Sequence, residues 1–450
     1  MSAMTTPAPS PGGENQRSPM SRLSERYPAI RRVPSALRRR IRVVERPDET
    51  VARVVEARPE QARWGSTGYR RTVLLGAHTV TSLMRLEDIC VLLEDDPRVQ
   101  LVYTQVPDRL GTGVAKRLGE LEVRVVPWEE AVDTRYDLAI SASLHRMEDV
   151  PALRRFAAPH GAGYNKLWPR WSHPGAERPV YGLDRESLLD RDGSLVFDSL
   201  VLPHPDHLRT LARQCPEAVP AAIVAGDPCF DRLVACQADR ERFRAGLGVR
   251  TGQTLVAVAS TWGQESLLCR QFDLLAALPA ALPADHRVIA TLHPAVWSEH
   301  GSRQVRTWLR KAREAGVDLV DVGEDWRALV AAADVLIADH SSLTAYAAGV
   351  GVPVLLSHFP DLDIDPDSVL AELAACSPRL DSTVPLPVQL GAARAARAEQ
   401  WEIARRRVAT AHGLSADLIR QTLYRLLDLT EPTTSAAWPV VPVPRLVVNM

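Results

Sequence analysis

Short apolar runs alternate with helix-length stretches from Tyr69 onward, and this rhythm constrains the fold more than any other feature of the chain. Thr72-Val-Leu-Leu-Gly76, Val99-Gln-Leu-Val-Tyr103, Glu122-Val-Arg-Val-Val126 and Asp137-Leu-Ala-Ile-Ser141 read as strands. Ser82 to Leu93 and Gly113 to Leu121 read as helices between them. Ser199 to Leu202 and Ala221 to Ala225 continue the series. Strands separated by helices imply βαβ units, and βαβ units imply a parallel sheet. After the turn-rich Gly226-Asp-Pro228 the rhythm starts again. Its strands are Thr254 to Ala259, Arg287 to Leu292, Val317 to Asp321, Asp334 to Ala338 and Val352 to Leu356. The intervening helices are Cys269 to Leu278, Gln304 to Ala315, Trp326 to Ala332 and Leu343 to Ala348. The expected fold class is α/β, with two Rossmann-like doubly wound domains facing a cleft.

The expected division follows. Residues 1–68 form a Pro/Ser/Gly-rich, then arginine-rich arm, a solvated tail on one reading and a contact for anionic lipid or polymer on another. Residues 69–228 form the first domain, taken as the acceptor side. Residues 229–391 form the second, taken as the nucleotide-donor side. Residues 392–430 are helical, with one helical region over Ala392 to Leu427, and 431–450 are an extended Pro/Val-rich tail.

Charge and cysteine usage exclude several classes. The formal net charge is −1, which gives no electrostatic case for nucleic acid. Lysine is confined to Lys116, Lys166 and Lys311, so each stands out. The six cysteines (Cys90, Cys215, Cys229, Cys236, Cys269 and Cys376) form no C-x-x-C pair. They read as reduced thiols of a cytoplasmic protein. No secretory signal and no run apolar enough to span a bilayer is visible. The expected location is cytoplasmic, or peripheral on the inner membrane face.

In doubly wound sheets ligands bind beyond the carboxyl ends of the strands, so residues just after strands carry the chemistry. Asp339-His-Ser-Ser342 ends a strand and opens a helix. A serine there caps free amides, and the same amides with the helix dipole suit a phosphate. His293-Pro294 follows another strand, where an imidazole can donate to a pyrophosphate. His160-Gly161-Ala-Gly163-Tyr-Asn-Lys166 surrounds a histidine with small residues, so a ligand can come close, and adds a cation. A histidine so placed can serve as a general base. Ala259-Ser-Thr261-Trp262-Gly263 ends the first strand of the second series, and Gly226-Asp227-Pro228-Cys-Phe-Asp231 marks the joint. Each has a plain reading in capping or turn chemistry.

Taken in order, these segments resemble the CDP-glycerol glycerophosphotransferase family, the teichoic-acid polymer and primer enzymes, over Arg154 to Leu356. The resemblance extends to bacterial capsule transferases of GT-B arrangement. It implies that His160 deprotonates the acceptor hydroxyl and that His293 contacts the donor pyrophosphate. It further implies that Ser341 and Ser342 hold phosphate, that Thr261 lines the donor side, and that Asp339 orders its loop. Gly161 and Lys166 fall on the substrate side.

Four positions depart from the family pattern: Cys229-Phe230 in place of Arg-Asn, Gly263 in place of an arginine, and His340 in place of tyrosine. No metal site and no cofactor is expected. Asp361-Leu-Asp363-Ile-Asp365 reads as an exposed acidic loop. The expected function is transfer of a glycerol-phosphate or related group from a CDP-linked donor to an acceptor hydroxyl, in cell-envelope polymer synthesis. The acceptor could be a membrane-bound polymer or a soluble molecule. The alternatives are a GT-B glycosyltransferase using a nucleotide sugar and a catalytically degenerate nucleotide-binding protein.

Overall fold

The computed structural model describes residues 68–175, 177–434 and 438–447. The basic arm expected over 1–68 lies outside these, save for Gly68. The first sheet has six strands: β1 (Arg71–Ala77), β2 (Val99–Gln105), β3 (Tyr136–Ser141), β4 (Ala152–Ala157), β5 (Ser199–Leu202) and β6 (Ala222–Val224). Their order is β2-β1-β3-β4-β5-β6, and every neighbouring pair is parallel. The second sheet holds β7 (Thr254–Ser260), β8 (His286–Leu292), β9 (Val317–Leu319), β10 (Val335–Ala338) and β11 (Val354–Leu356). Its order is β11-β10-β7-β8-β9, again all parallel. Helices cover both faces of a doubly wound sheet, which is why β1, β3, β7 and β10 are near-continuous runs of Val, Leu, Ile and Ala.

Six helices bear on the site and on the joint between the sheets. They are α1 (Val80–Cys90), α2 (Pro228–Cys236), α3 (Pro294–His300), α4 (Ser342–Gly349), α5 (Leu386–Arg407) and α6 (Ser415–Leu426). Thr79 and Ser82 start α1 with a reciprocal capping box. Asp227 starts α2 by accepting from the amides of Cys229 and Phe230.

The region expected as one helix over Ala392 to Leu427 is two. It breaks around Gly413, whose φ of +74° suits glycine. The two pieces serve different cores. Leu390 and Ala393 of α5 pack with Ile337 and Leu355 of the second sheet. Ile419, Leu423 and Tyr424 of α6 pack with Val73, Leu75 and Leu138 of the first. The chain thus crosses back to the first sheet after completing the second. The Pro/Val-rich end is extended but not loose: Val441 joins the core of the second sheet and Leu446 bridges Val320.

Four other elements differ from expectation. Glu122 to Val126 is no strand. Glu122 sits at φ +54°, and Val125 makes a single bridge to Tyr103. Conversely, β4 carries Arg154 and Arg155 at its middle, which hid it among apolar runs. The Arg155 guanidinium turns aside to donate to the carbonyls of Met147 and Val150. Leu267–Arg270 and Leu274–Ala281 replace a single helix over Cys269 to Leu278. Ser302–Trp308 and Arg310–Glu314 likewise divide the one expected over Gln304 to Ala315.

Candidate active site

In the second sheet the strand order reverses between β7 and β10, and the loops leaving these strands part to form a crevice. Asp339, directly after β10, ties the two together. Its Oδ2 accepts from the Thr261 amide and the Leu267 amide, each at 2.8 Å. The carboxyl is fully buried, and burial lifts its pKa to about 6 against the pull of the two amides and Lys166. Asp339 is therefore an organiser of the loop.

Among the described residues three neighbouring polar atoms have no hydrogen-bond partner: Asp339 Oδ1, His340 Nδ1 and Ser341 Oγ. All three residues are buried. Ser341 occupies the N-cap position of α4, yet its hydroxyl makes no capping bond. Unsatisfied buried polar groups are costly; at this helix start the Ser341 hydroxyl, and His340 Nδ1 when it carries the proton, can donate to an anion, whereas Asp339 Oδ1 can only accept. Ser342 is committed elsewhere: its Oγ accepts from the Ala162 amide of the first domain at 3.1 Å.

His293 follows β8 and caps α3, its Nδ1 accepting from the Ala295 amide at 3.1 Å. The neutral ring must then carry its proton on Nε2, which lies 3.4 Å from Thr81 Oγ1 of α1. Burial, with the charges of Lys166 and His160, lowers its pKa to about 3. His293 is thus a neutral donor aimed at the junction of the two domains. Thr261 is buried one residue past β7. Beside it the Trp262 ring stands 6.4 Å from that of His293.

The first domain brings His160 to the same junction. Nδ1 of His160 lies 2.7 Å from the Ala142 carbonyl, just beyond β3. A carbonyl only accepts, so Nδ1 carries the hydrogen and Nε2 keeps its lone pair. The ring is accessible but walled by protein, and the resulting desolvation lowers its pKa below 6.5, helped by Arg85 and Lys166. Gly161 is needed for close approach: a Cβ there would lie 2.5 Å from Ser342 Oγ. Lys166 Nζ sits 5.6 Å from the centre of the Trp262 ring. Its charge acts on His160, His293, Asp339 and His340 together, so it is the shared cation of the cluster. Burial lowers its own pKa, opposed by Asp339 and Asp363.

All seven residues singled out by sequence (His160, Gly161, Lys166, Thr261, His293, Ser341 and Ser342) therefore stand around one junction. Sequence reading passed over Thr81, which meets His293, and singled out His340 only as a departure from the family pattern. Thr81 lies inside a helix with no strand end to mark it. Three of the four positions that depart from the family pattern have defined surroundings. Gly263 adopts φ +87°. The Phe230 ring stacks on that of Tyr346, and Cys229 accepts from Arg327 Nε. The acidic loop carries ion pairs, Asp363 with Arg178 and Asp361 with Arg379.

Two doubly wound parallel sheets, whose strand-end loops meet across a junction, make a GT-B-like arrangement. Residues 196–363 match the family model CDP-Glycerol:Poly(glycerophosphate) glycerophosphotransferase. The match contains Thr261, His293, Ser341 and Ser342, but begins after His160, Gly161 and Lys166. Among solved structures, the wall teichoic acid polymerase TagF is similar at 14% identity. The match covers 80% of this chain and 89% of that one, with a TM-score of 0.54. A variant of TagF soaked with CDPG gives 13% identity, 80% and 88% coverage and a TM-score of 0.54. HepE of Anabaena, in complex with UDP-glucose, gives 12% identity, 80% and 99% coverage and a TM-score of 0.46. Such identities express likeness of fold. No curated protein matches the chain.

Proposed function

We propose that the enzyme transfers a glycerol-phosphate group from CDP-glycerol, or a closely related CDP-linked donor, to an acceptor hydroxyl during cell-envelope polymer synthesis. The observation that carries this reading is the meeting of two complementary half-sites. One is the free Nε2 of His160. The other is the pair of unpartnered polar atoms at His340 and Ser341, with the Nε2–H of His293 beside it.

The acceptor oxygen attacks the phosphorus that bears glycerol. His160 Nε2 takes the hydroxyl proton. The bond between that phosphorus and the bridging oxygen breaks, and CMP leaves with the bond's electron pair. His293 Nε2–H, the Ser341 hydroxyl and the amides opening α4 hold the pyrophosphate. Lys166 offsets its charge. Positioning and charge stabilisation of this kind account for most of the acceleration in such transfers. The acceptor is a hydroxyl-bearing polymer, membrane-bound or free. Six free cysteines fit a reducing, cytoplasmic setting, with attachment at the inner membrane face as the peripheral variant.

The test is a panel of CDP, UDP, CDP-glycerol and sugar nucleotides in thermal shift, followed by turnover. CDP compounds are expected to raise the unfolding midpoint by mass action. His160→Ala should lower turnover on the order of 10²–10⁴-fold with CDP affinity nearly intact. Ser341→Ala should weaken CDP affinity about tenfold, the value of one hydrogen bond to a charged group. Selective binding of UDP-sugars would replace the donor assignment, and a fully active His160→Ala would remove the base.

A further inference from the structure

A cavity of about 140 Å³ opens among the strand-end loops of the first sheet, away from the nucleotide half-site. Its walls include His145, Glu148, Trp168, Tyr181, Glu186 and Ser187. Two loops that build the acceptor side also build this cavity. His145 follows Ala142, whose carbonyl orients His160. Trp168 follows Lys166 in the loop that begins at His160. Asp108 bridges the two places: it lies 3.1 Å from His145 Nε2, and its charge acts on both His160 and Tyr181.

The wall is held in place. Trp168 Nε1–H donates to Asp184 Oδ2 at 2.9 Å, and the same oxygen accepts from the Gly182 amide and the Ser187 hydroxyl. Asp184 is itself buried. The Tyr181 ring meets Trp168 edge-on at 5.0 Å, and 44% of Tyr181 remains exposed. Gly182, at φ +87°, lets the chain turn beneath the Tyr164 ring. The result is a rigid aromatic surface with polar groups at its edge.

The charge selects the ligand. Glu148 is exposed and makes no ion pair within the described residues. Glu186 stands 3.9 Å from His173. With Asp108 and Asp184 behind them, these carboxylates repel phosphate, so neither the donor nor a phosphodiester link of an acceptor belongs here. An uncharged ring with one apolar face and several hydroxyls fits: its face lies on an aromatic side chain and its hydroxyls donate to carboxylates. We propose that this cavity is an acceptor subsite for a saccharide unit, placed so that the hydroxyl to be modified reaches His160. The inference rests on the reading of His160 as the acceptor base.

Isothermal titration of methyl β-D-glucopyranoside, chitobiose and choline chloride into the full chain tests it, using wild type, Tyr181→Ala and Glu148→Gln. One of the two saccharides should bind wild type. Its Kd should rise roughly tenfold in Tyr181→Ala and about fivefold in Glu148→Gln. Both side chains are exposed, and Glu148→Gln keeps the shape, so folding is not at stake in that variant. Absence of saccharide binding, or equal affinity in all three proteins, overturns the subsite. Binding of choline in place of the saccharides overturns it in favour of a cation cage. CDP titrated into the same preparations separates the two proposals. The donor reading requires equal CDP affinity in all three, and failure of CDP to bind would sink that reading whatever the saccharides do.

Discussion

At the scale of single residues the site depends on which nitrogen of each histidine carries the proton. His160 presents a lone pair because Nδ1 is bound to the Ala142 carbonyl. His293 presents a hydrogen because Nδ1 is taken by the Ala295 amide. The same fold thus leaves one histidine with a free lone pair and the other with a free N–H. A base works only when neutral, so activity is lost as pH falls through its pKa. The acid limb of kcat/KM, which reports the free enzyme, should lie below the ordinary histidine value of 6.5. A bound pyrophosphate favours the protonated ring, so the limb of kcat should lie above that of kcat/KM. Lys166 helps hold the His160 pKa down. Lys166→Met should therefore move the kcat/KM limb to higher pH, while a limb that stays in place would deny Lys166 its part in the cluster.

At the scale of elements the two half-sites touch through the start of α4. Ala162 N donates to Ser342 Oγ, and Gly161 leaves room for it. Ser342→Ala should cost about 1 kcal/mol of stability, the usual worth of a hydrogen bond. Gly161→Ala should cost a similar amount by pushing the Ser342 hydroxyl away, so the double variant should be clearly less than additive in urea unfolding. The sequence was informative where a strand end carried the chemistry. Thr261, His293 and Ser341 all follow apolar strands, and the crevice rule finds them. It was silent where side chains disguise a strand, as Arg154 and Arg155 do in β4, or where backbone strain cancels one, as at Glu122. It could not show that Ser342 spans the domains and that Ser341 lacks a partner. The first depends on residues 162 and 342 meeting and the second on what tertiary packing sets around Ser341, and no local pattern encodes either.

At the scale of the whole molecule a buried charge network holds the two sheets in register. Asp88 of α1 accepts from Arg327 Nη2 at 2.6 and 2.8 Å, and also from Arg232 of α2. Arg85 of α1 donates to Asp227 at 2.5 Å and to the Tyr346 hydroxyl of α4 at 3.0 Å. Tyr346 in turn donates to Asp227 at 2.6 Å. These residues are all nearly inaccessible to solvent. Removing one carboxylate would strand buried guanidinium groups. Asp88→Ala should then cost about 3–5 kcal/mol in urea unfolding. A loss no larger than that of an exposed pair would show that the joint is not fixed this way. The network fixes the orientation in which His160 faces the α4 start, on which the proposed transfer depends. That reaction is tested most directly by ³¹P NMR of CDP-glycerol incubated with the enzyme and hydroxyl acceptors, namely oligo(glycerophosphate) and glycosides. The wild type should replace the pyrophosphate resonances with those of CMP and a new phosphodiester, while His160→Ala should leave them standing. Intact pyrophosphate with the wild type, or equal conversion by both proteins, would contradict the account.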